Sequence, residues 1–119
     1  AGIMPILAPI GLTHDNRTLI NINADTVAGA VAVALKASKI LFMTDVPGVQ
    51  DANGKNIENL NADTAMALRK SGILKGGMLP KVAACQAAAA SGVQSRIIDG
   101  RVSDALLNAL EGTSGTVVT

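Results

Sequence analysis

The sequence has no tryptophan, no tyrosine and a single phenylalanine, Phe42. A surface that stacks nucleobases on aromatic rings is thereby excluded. Ten Lys and Arg stand against nine Asp and Glu, a net charge of +1, so the broad basic footprint that a phosphate backbone needs is missing as well. Nucleic acid is not an expected partner. The one cysteine, Cys85, rules out an internal disulfide and lies in the small-residue stretch "KVAACQAAAA", where a buried thiol is the ordinary use and a reactive one the exception.

Long hydrophobic runs are missing too. The longest are broken by Lys36, Lys39 and Asp45, well short of the ~18 residues that span a bilayer. The chain opens without a charged-then-apolar leader, so the expectation is a cytoplasmic protein with no membrane partner. No Cys/His cluster, serine elbow or pair of carboxylates of glycosidase type is present, which leaves zinc and hydrolytic chemistries unsupported. His14, in "THDNR", has no metal-ligand spacing around it and reads as a surface residue.

What the chain does have is 119 residues, 49% of them apolar. That is one domain, burying roughly two thirds of the surface of its unfolded chain. Its core must be built from Ala, Val, Ile, Leu and Met, which suits helices packed closely on a sheet. The opening "GIMPILAPIG" is strand-like within two residues and lacks an initiator Met, as expected for a piece of something longer.

Along the chain, "IMPILAPIG" predicts a strand ended by Gly11, and "LTHDNRTLININ" a polar excursion returning through a second strand. Ala and Val at helical spacing follow from Asp25 to about Ser38, and "KILFMTDV" is a buried strand, giving a β-α-β unit. Asn53-Gly54 sits where a hairpin could form. A helix is expected with Asn61 as N-cap and Gly72 beyond its end, and Arg69 and Lys70 suit its last turn. Pro80 fits the first turn of a helix running through the alanines to Gly92. Then come the strand "SRIIDG", a helix bounded by Ser103 and Gly112, and a last strand "GTVVT". The fold class is α/β, with a mostly parallel sheet covered on both faces.

Ligands of such sheets bind beyond the carboxyl ends of the strands, which singles out four places. In "NINAD", alternation puts Asn21 and Asn23 on one face with Asp25 at the helix start. These groups could hold a small polar ligand, or Asn23 or Asp25 could simply cap the helix. In "KGGMLPK", Gly76 and Gly77 would bare backbone N–H groups, and Lys81 would add positive charge to a helix start. That suits a phosphate, although a solvated surface lysine is the plain alternative. "TDVPGV" could contact a ribose or adenine, or be only a turn. In "IIDGR", Asp99 and Arg101 read first as a local ion pair.

Taken together, "NINADTVAGAVAVAL", "KILFMTDVPGV", "SGILKGGMLPKVAAC" and "IIDGRVSDALL" resemble the C-terminal half of the N-acetylglutamate kinases, in the amino acid kinase family. The likeness covers nearly the whole chain. It implies an open αβα sandwich in which residues 1–119 are the nucleotide-binding half and the N-terminal, amino-acid-binding half is absent. The implied reaction transfers a phosphoryl group from MgATP to the side-chain carboxylate of N-acetylglutamate, giving an acyl phosphate in arginine biosynthesis.

By the same resemblance Lys81 would neutralise the transferring phosphoryl group and Asp25 would hold the catalytic lysines. Asn21 and Asn23 would contact the acetylamino acid. Thr44, Asp45, Val46, Pro47, Gly48, Val49 and Gln50 would line the nucleotide together with Ile73, Leu74 and Lys75, with Gly77 and Met78 close by, Met78 near the adenine. No residue is implied as a protein ligand to metal, and the full-length protein is expected to be a homo-oligomer. A lysine on an N-terminal glycine-rich loop, a second such loop and a substrate-gripping arginine belong to the family pattern and are not in this chain. Alone it is therefore expected to bind nucleotide at best. The ending "LEGTSGTVVT" departs from the family's usual one, which puts an arginine feedback site in question. The alternatives are a non-catalytic kinase-like module, another member of the family, and a purely structural α/β domain.

Overall fold

A computed structural model describes residues 2–119. In chain order the elements are β1 (Ile10–Leu12), β2 (Leu19–Asn21), α1 (Ala24–Ala34), β3 (Lys39–Thr44), β4 (Asn59–Leu60), α2 (Ala62–Lys70), α3 (Met78–Ala90), β5 (Gln94–Asp99), α4 (Ala105–Leu110) and β6 (Thr116–Val118). β1 and β2 form an antiparallel pair of their own, and the other strands make one sheet in the order β3-β5-β6-β4. β3 and β5 run parallel along their full length, with Phe42 beside Ile97 and Thr44 beside Asp99. β4 and β6 are parallel, while β5 and β6 are antiparallel. Among the described residues no helix is long and apolar enough to cross a membrane.

Both faces of the sheet are covered. On one, Phe42, Ile97 and Val118 pack with Ala65 and Leu68 of α2 and Val82, Ala84 and Cys85 of α3. On the other, Ile98 packs with Ala105 and Ala109 of α4 and with Leu41. The alternation of Ile97 and Ile98 between faces is the period of an extended strand. Small residues set the spacing between helices. Gly29 of α1 lies against Ala84 of α3, where a Cβ on the glycine would stand 3.4 Å from the alanine Cβ, so the two helices run in close contact.

Most expected boundaries agree with the structure. Asn61 Oδ1 accepts from Thr64 N at 2.8 Å, and Gly72 and Gly92 follow their helices at φ 75° and 83°. The turn at Asn53-Gly54 forms a small hairpin, closed by a Gln50–Asn56 bridge and by Asp51 Oδ1, which accepts from Asn53 N and Lys55 N at 2.8 and 2.9 Å.

Four expectations need correction. The helix expected to reach about Ser38 ends at Ala34, with Leu35 as its C-cap and Lys36 in the left-handed region at φ 51°. The opening apolar run is a strand only from Ile10, and Ile3, Met4 and Ile6 are 86%, 87% and 94% exposed with no strand beside them. The strand from Lys39 ends at Thr44 rather than Val46, because the chain turns there toward Val49. α4 is preceded not by a capping Ser103 but by Asp104 in the left-handed region at φ 58°, without a side-chain cap. The two-residue strand β4 carries no alternation long enough to be seen in the sequence.

Candidate active site

α1 and α3 begin side by side, and their first turns bring together two residues that the sequence separates widely. Lys81 Nζ donates to Asp25 Oδ1 at 2.7 Å, with the two side chains 14% and 18% exposed. Asp25 lies one turn before Gly29, and Lys81 about one turn before Ala84. The Gly29–Ala84 contact that sets the helix spacing therefore also sets the ion pair. Phe42 of β3 lies beneath, its ring centroid 5.7 Å from Nζ. An ammonium has three donors. Asp25 takes one and the ring face lies against the charge, so the group remains able to meet an anion with its position already fixed.

Asn23 is the N-cap of α1, its Oδ1 accepting from Thr26 N at 3.1 Å. Its acceptor is thus committed to the helix, which is the capping alternative that the sequence left open. Asn21 ends β2 and is exposed.

At the start of α3, Met78 N bonds to Lys75 O and Leu79 N to Gly76 O, and Pro80 has no N–H. The amides of Gly76 and Gly77 enter no backbone hydrogen bond, and the positive end of the helix backs them. Lys75 is exposed beside them. Ile73 and Met78 are half-buried against the main core, and Leu74 is inside it at 6% exposure.

The segment after β3 is anchored from the far edge of the sheet. Thr44 Oγ1 lies 3.4 Å from Asp45 Oδ1 at the strand's carboxyl end. Val46 is half-buried and Pro47 exposed. Gly48, at φ 151°, is held so tightly that a Cβ would collide with Asn56 Oδ1 and stand 2.6 Å from Thr116 Oγ1. Val49 is 2% exposed, and both of its backbone groups are bonded, N–H to Thr116 Oγ1 and C=O to Ile57 N. The core claims the side chains of Val49 and Leu74. Gln50 belongs to the Gln50–Asn56 bridge.

Asp99 and Arg101 form the expected ion pair, Nε to Oδ1 at 2.9 Å and Nη2 to Oδ2 at 2.8 Å. These bonds hold the Asp99 carboxyl down at about 2. Cys85, one turn beyond Lys81, is buried, and burial pushes its thiol up to about 12. His14 is exposed.

Two residues of the site were not singled out from sequence. Phe42 is the only aromatic and lies two positions before Thr44 on the same face of β3, a signal that was present but indistinguishable from an ordinary core residue. Thr116, buried, accepts from Val49 N and donates to Ile57 O at 2.6 Å, and only sheet order brings it beside Val49.

Residues 1–99 match the amino acid kinase family. An acetylglutamate kinase of Gluconobacter oxydans (strain 621H) is 52% identical over 103 residues, covering 86% of this chain and 35% of that protein. Among solved structures, an N-acetylglutamate synthase from Neisseria gonorrhoeae, complexed with coenzyme A and L-arginine, superimposes with a TM-score of 0.83 at 25% identity, covering 95% of this chain and 27% of that one. A carbamate kinase from Giardia lamblia bound to AMP-PNP does so with a TM-score of 0.69 at 25% identity, covering 87% and 35%. The chain spans less than half the length of the curated relatives it matches.

Proposed function

The chain belongs to the amino acid kinase family, and on that premise we propose that it is the nucleotide-binding half of an acetylglutamate kinase. In this reading a phosphoryl group passes from MgATP to the side-chain carboxylate of N-acetylglutamate, and the acyl phosphate formed serves arginine biosynthesis. The Lys81–Asp25 pair carries the proposal. Phosphoryl transfer asks for positioning and for positive charge where negative charge gathers, with little covalent work by the protein. Lys81 supplies that charge at a fixed place, and Asp25 keeps it there.

Thr44–Gly48, Ile73, Lys75, Gly77 and Met78 would border the nucleotide, and Asn21, with the free amide of Asn23, would face the acetylamino acid. Magnesium is assigned to the substrate, carried on the triphosphate. The remaining contacts to the amino acid would come from an N-terminal half. The complete enzyme is proposed to be a cytoplasmic homo-oligomer.

The test is reconstitution. The chain is mixed with the N-terminal half of an acetylglutamate kinase, and acyl phosphate is trapped as the hydroxamate. Turnover that disappears with Lys81→Ala supports the proposal. No turnover from any mixture that binds both substrates would overturn it, as would robust turnover by this chain alone for the claim that it is half a site.

A non-catalytic kinase-like module is the second reading, favoured by the close superposition on an N-acetylglutamate synthase. It gives no reason for a preserved Lys81–Asp25 pair. It predicts nucleotide-independent binding of arginine and no turnover on reconstitution.

A further inference from the structure

The Asp99–Arg101 pair does more than its geometry as an ion pair requires. Asp99 is the more enclosed partner, its side chain 13% exposed, and Arg101 the presented one at 61%. Asp99 binds one edge of the guanidinium through Nε and Nη2 and also accepts from Arg101 N at 3.0 Å. A guanidinium has five N–H donors, so three are left, and among the described residues none of them meets a protein acceptor. Arg96 is the contrast within the same strand. Its Nη1 donates to the carbonyl of Ser114, the use expected of an arginine that only ties the fold together.

Location gives the open edge a meaning. Asp99 is the last residue of β5 and pairs in register with Thr44, the last residue of β3. Gly100 N donates to Thr44 O at 2.7 Å, and a Cβ on Gly100 would stand 3.2 Å from Met43 Cβ, so the chain crosses directly over the end of β3. Asp45 is within Coulombic reach of the guanidinium. By strand alternation Asp99 shares a sheet face with Ile97 and Phe42, the face on which Lys81 lies. Arg101 is thereby presented beyond the carboxyl ends of two adjacent parallel strands, where ligands of open α/β sheets bind.

We propose that Arg101 is a phosphate-binding residue of the nucleotide site, its open N–H edge meeting an oxygen of the polyphosphate, and that Asp99 is its positioning residue. The inference rests on the nucleotide reading above. It adds a second cationic contact, of fixed orientation, to the point charge of Lys81. A planar fork suits phosphate better than a flexible ammonium does, so the identity of the residue matters as well as its charge.

Calorimetric titration of ADP and of adenosine into the 119-residue chain and three variants tests it, with thermal midpoints recorded for each. Arg101→Ala should weaken ADP about ten- to a hundredfold, the loss of a hydrogen bond to a charged group, and leave adenosine unchanged. Arg101→Lys should recover little, and Asp99→Asn should weaken ADP part of the way by freeing the guanidinium. Equal ADP affinity in wild type and Arg101→Ala would overturn the proposal. So would a parallel loss of ADP and adenosine, which marks a structural role. If the wild type binds neither ligand, the nucleotide reading itself fails, a result separate from unchanged binding in Arg101→Ala.

Discussion

Lys81 Nζ and Asp25 Oδ1 lie 2.7 Å apart across 56 residues of sequence. The contact requires α1 and α3 to start at the same level and to approach closely along their first turns. The Gly29–Ala84 contact supplies the approach, and Phe42 supplies the floor. Each of these can be disturbed separately.

Removing the carboxylate should leave a largely buried ammonium unpaired. Asp25→Ala is expected to lower stability by about 1–3 kcal/mol, measured by urea denaturation. Adding Lys81→Met to it should restore part of the loss, since the unpaired charge goes as well. If the double variant is no more stable than Asp25→Ala, the pair is not coupled as described.

Forcing the helices apart should reach the site without touching it. Gly29→Leu must displace the backbone of α3 at Ala84, at a cost of about 1–3 kcal/mol from overpacking. The same change should weaken binding of ADP, because Lys81 moves with α3. Unchanged ADP affinity in a destabilised Gly29→Leu chain would separate the helix contact from the site.

Gly48 tests the anchoring of the segment after β3. Its φ of 151° and the collisions that a Cβ would make with Asn56 Oδ1 and Thr116 Oγ1 predict that Gly48→Ala destabilises the chain by about 1–3 kcal/mol. Hydrogen exchange should quicken first at Val49 N, whose partner is Thr116 Oγ1 at 2.9 Å. Retained protection at Val49 would count against this account.

The Asp99–Arg101 pair makes a prediction in pH. The Asp99 carboxyl is lowered from 3.8 to about 2, chiefly by its hydrogen bonds to Arg101. The folded state therefore favours the charged form. The pair's contribution is full above the unfolded value and disappears as pH falls from 3.8 through about 2. The difference in urea midpoint between wild type and Asp99→Asn should be constant near neutrality and shrink across that window. A difference that persists unchanged below it would assign the effect to packing.

Cys85 should be inert in the folded chain. With the thiol at about 12 and no exposed surface at 0%, native protein at pH 8 should resist iodoacetamide and react on unfolding. The thiolate is the reactive form, and burial withholds both the proton loss and access. Rapid native labelling would contradict the packing around α3.

Helix boundaries were legible in the sequence where a local rule sets them. Asn61 and Gly72 delimit α2 because an N-cap acceptor and a following glycine act within one turn of chain. The ends of β3 and β5 were close to legible because a buried parallel strand is a continuous apolar run. Asn23 was ambiguous for a physical reason, since the side chain that caps a helix is the same one that can bind a ligand.

Composition and pattern alone determined the α/β class, the small-residue core, the four segments where a ligand is expected and the residue types that could hold a phosphate. Tertiary structure decided which of those residues meet. It joined Asp25 to Lys81, slid Phe42 beneath them, took Val49 and Leu74 into the core and left one edge of Arg101 open. Local propensity acts over one or two turns of chain, whereas an ion pair 56 residues apart in sequence depends on how closely two helices pack and on which strands are neighbours. Those are properties of the assembled sheet and its layers, carried by many weak contacts at once.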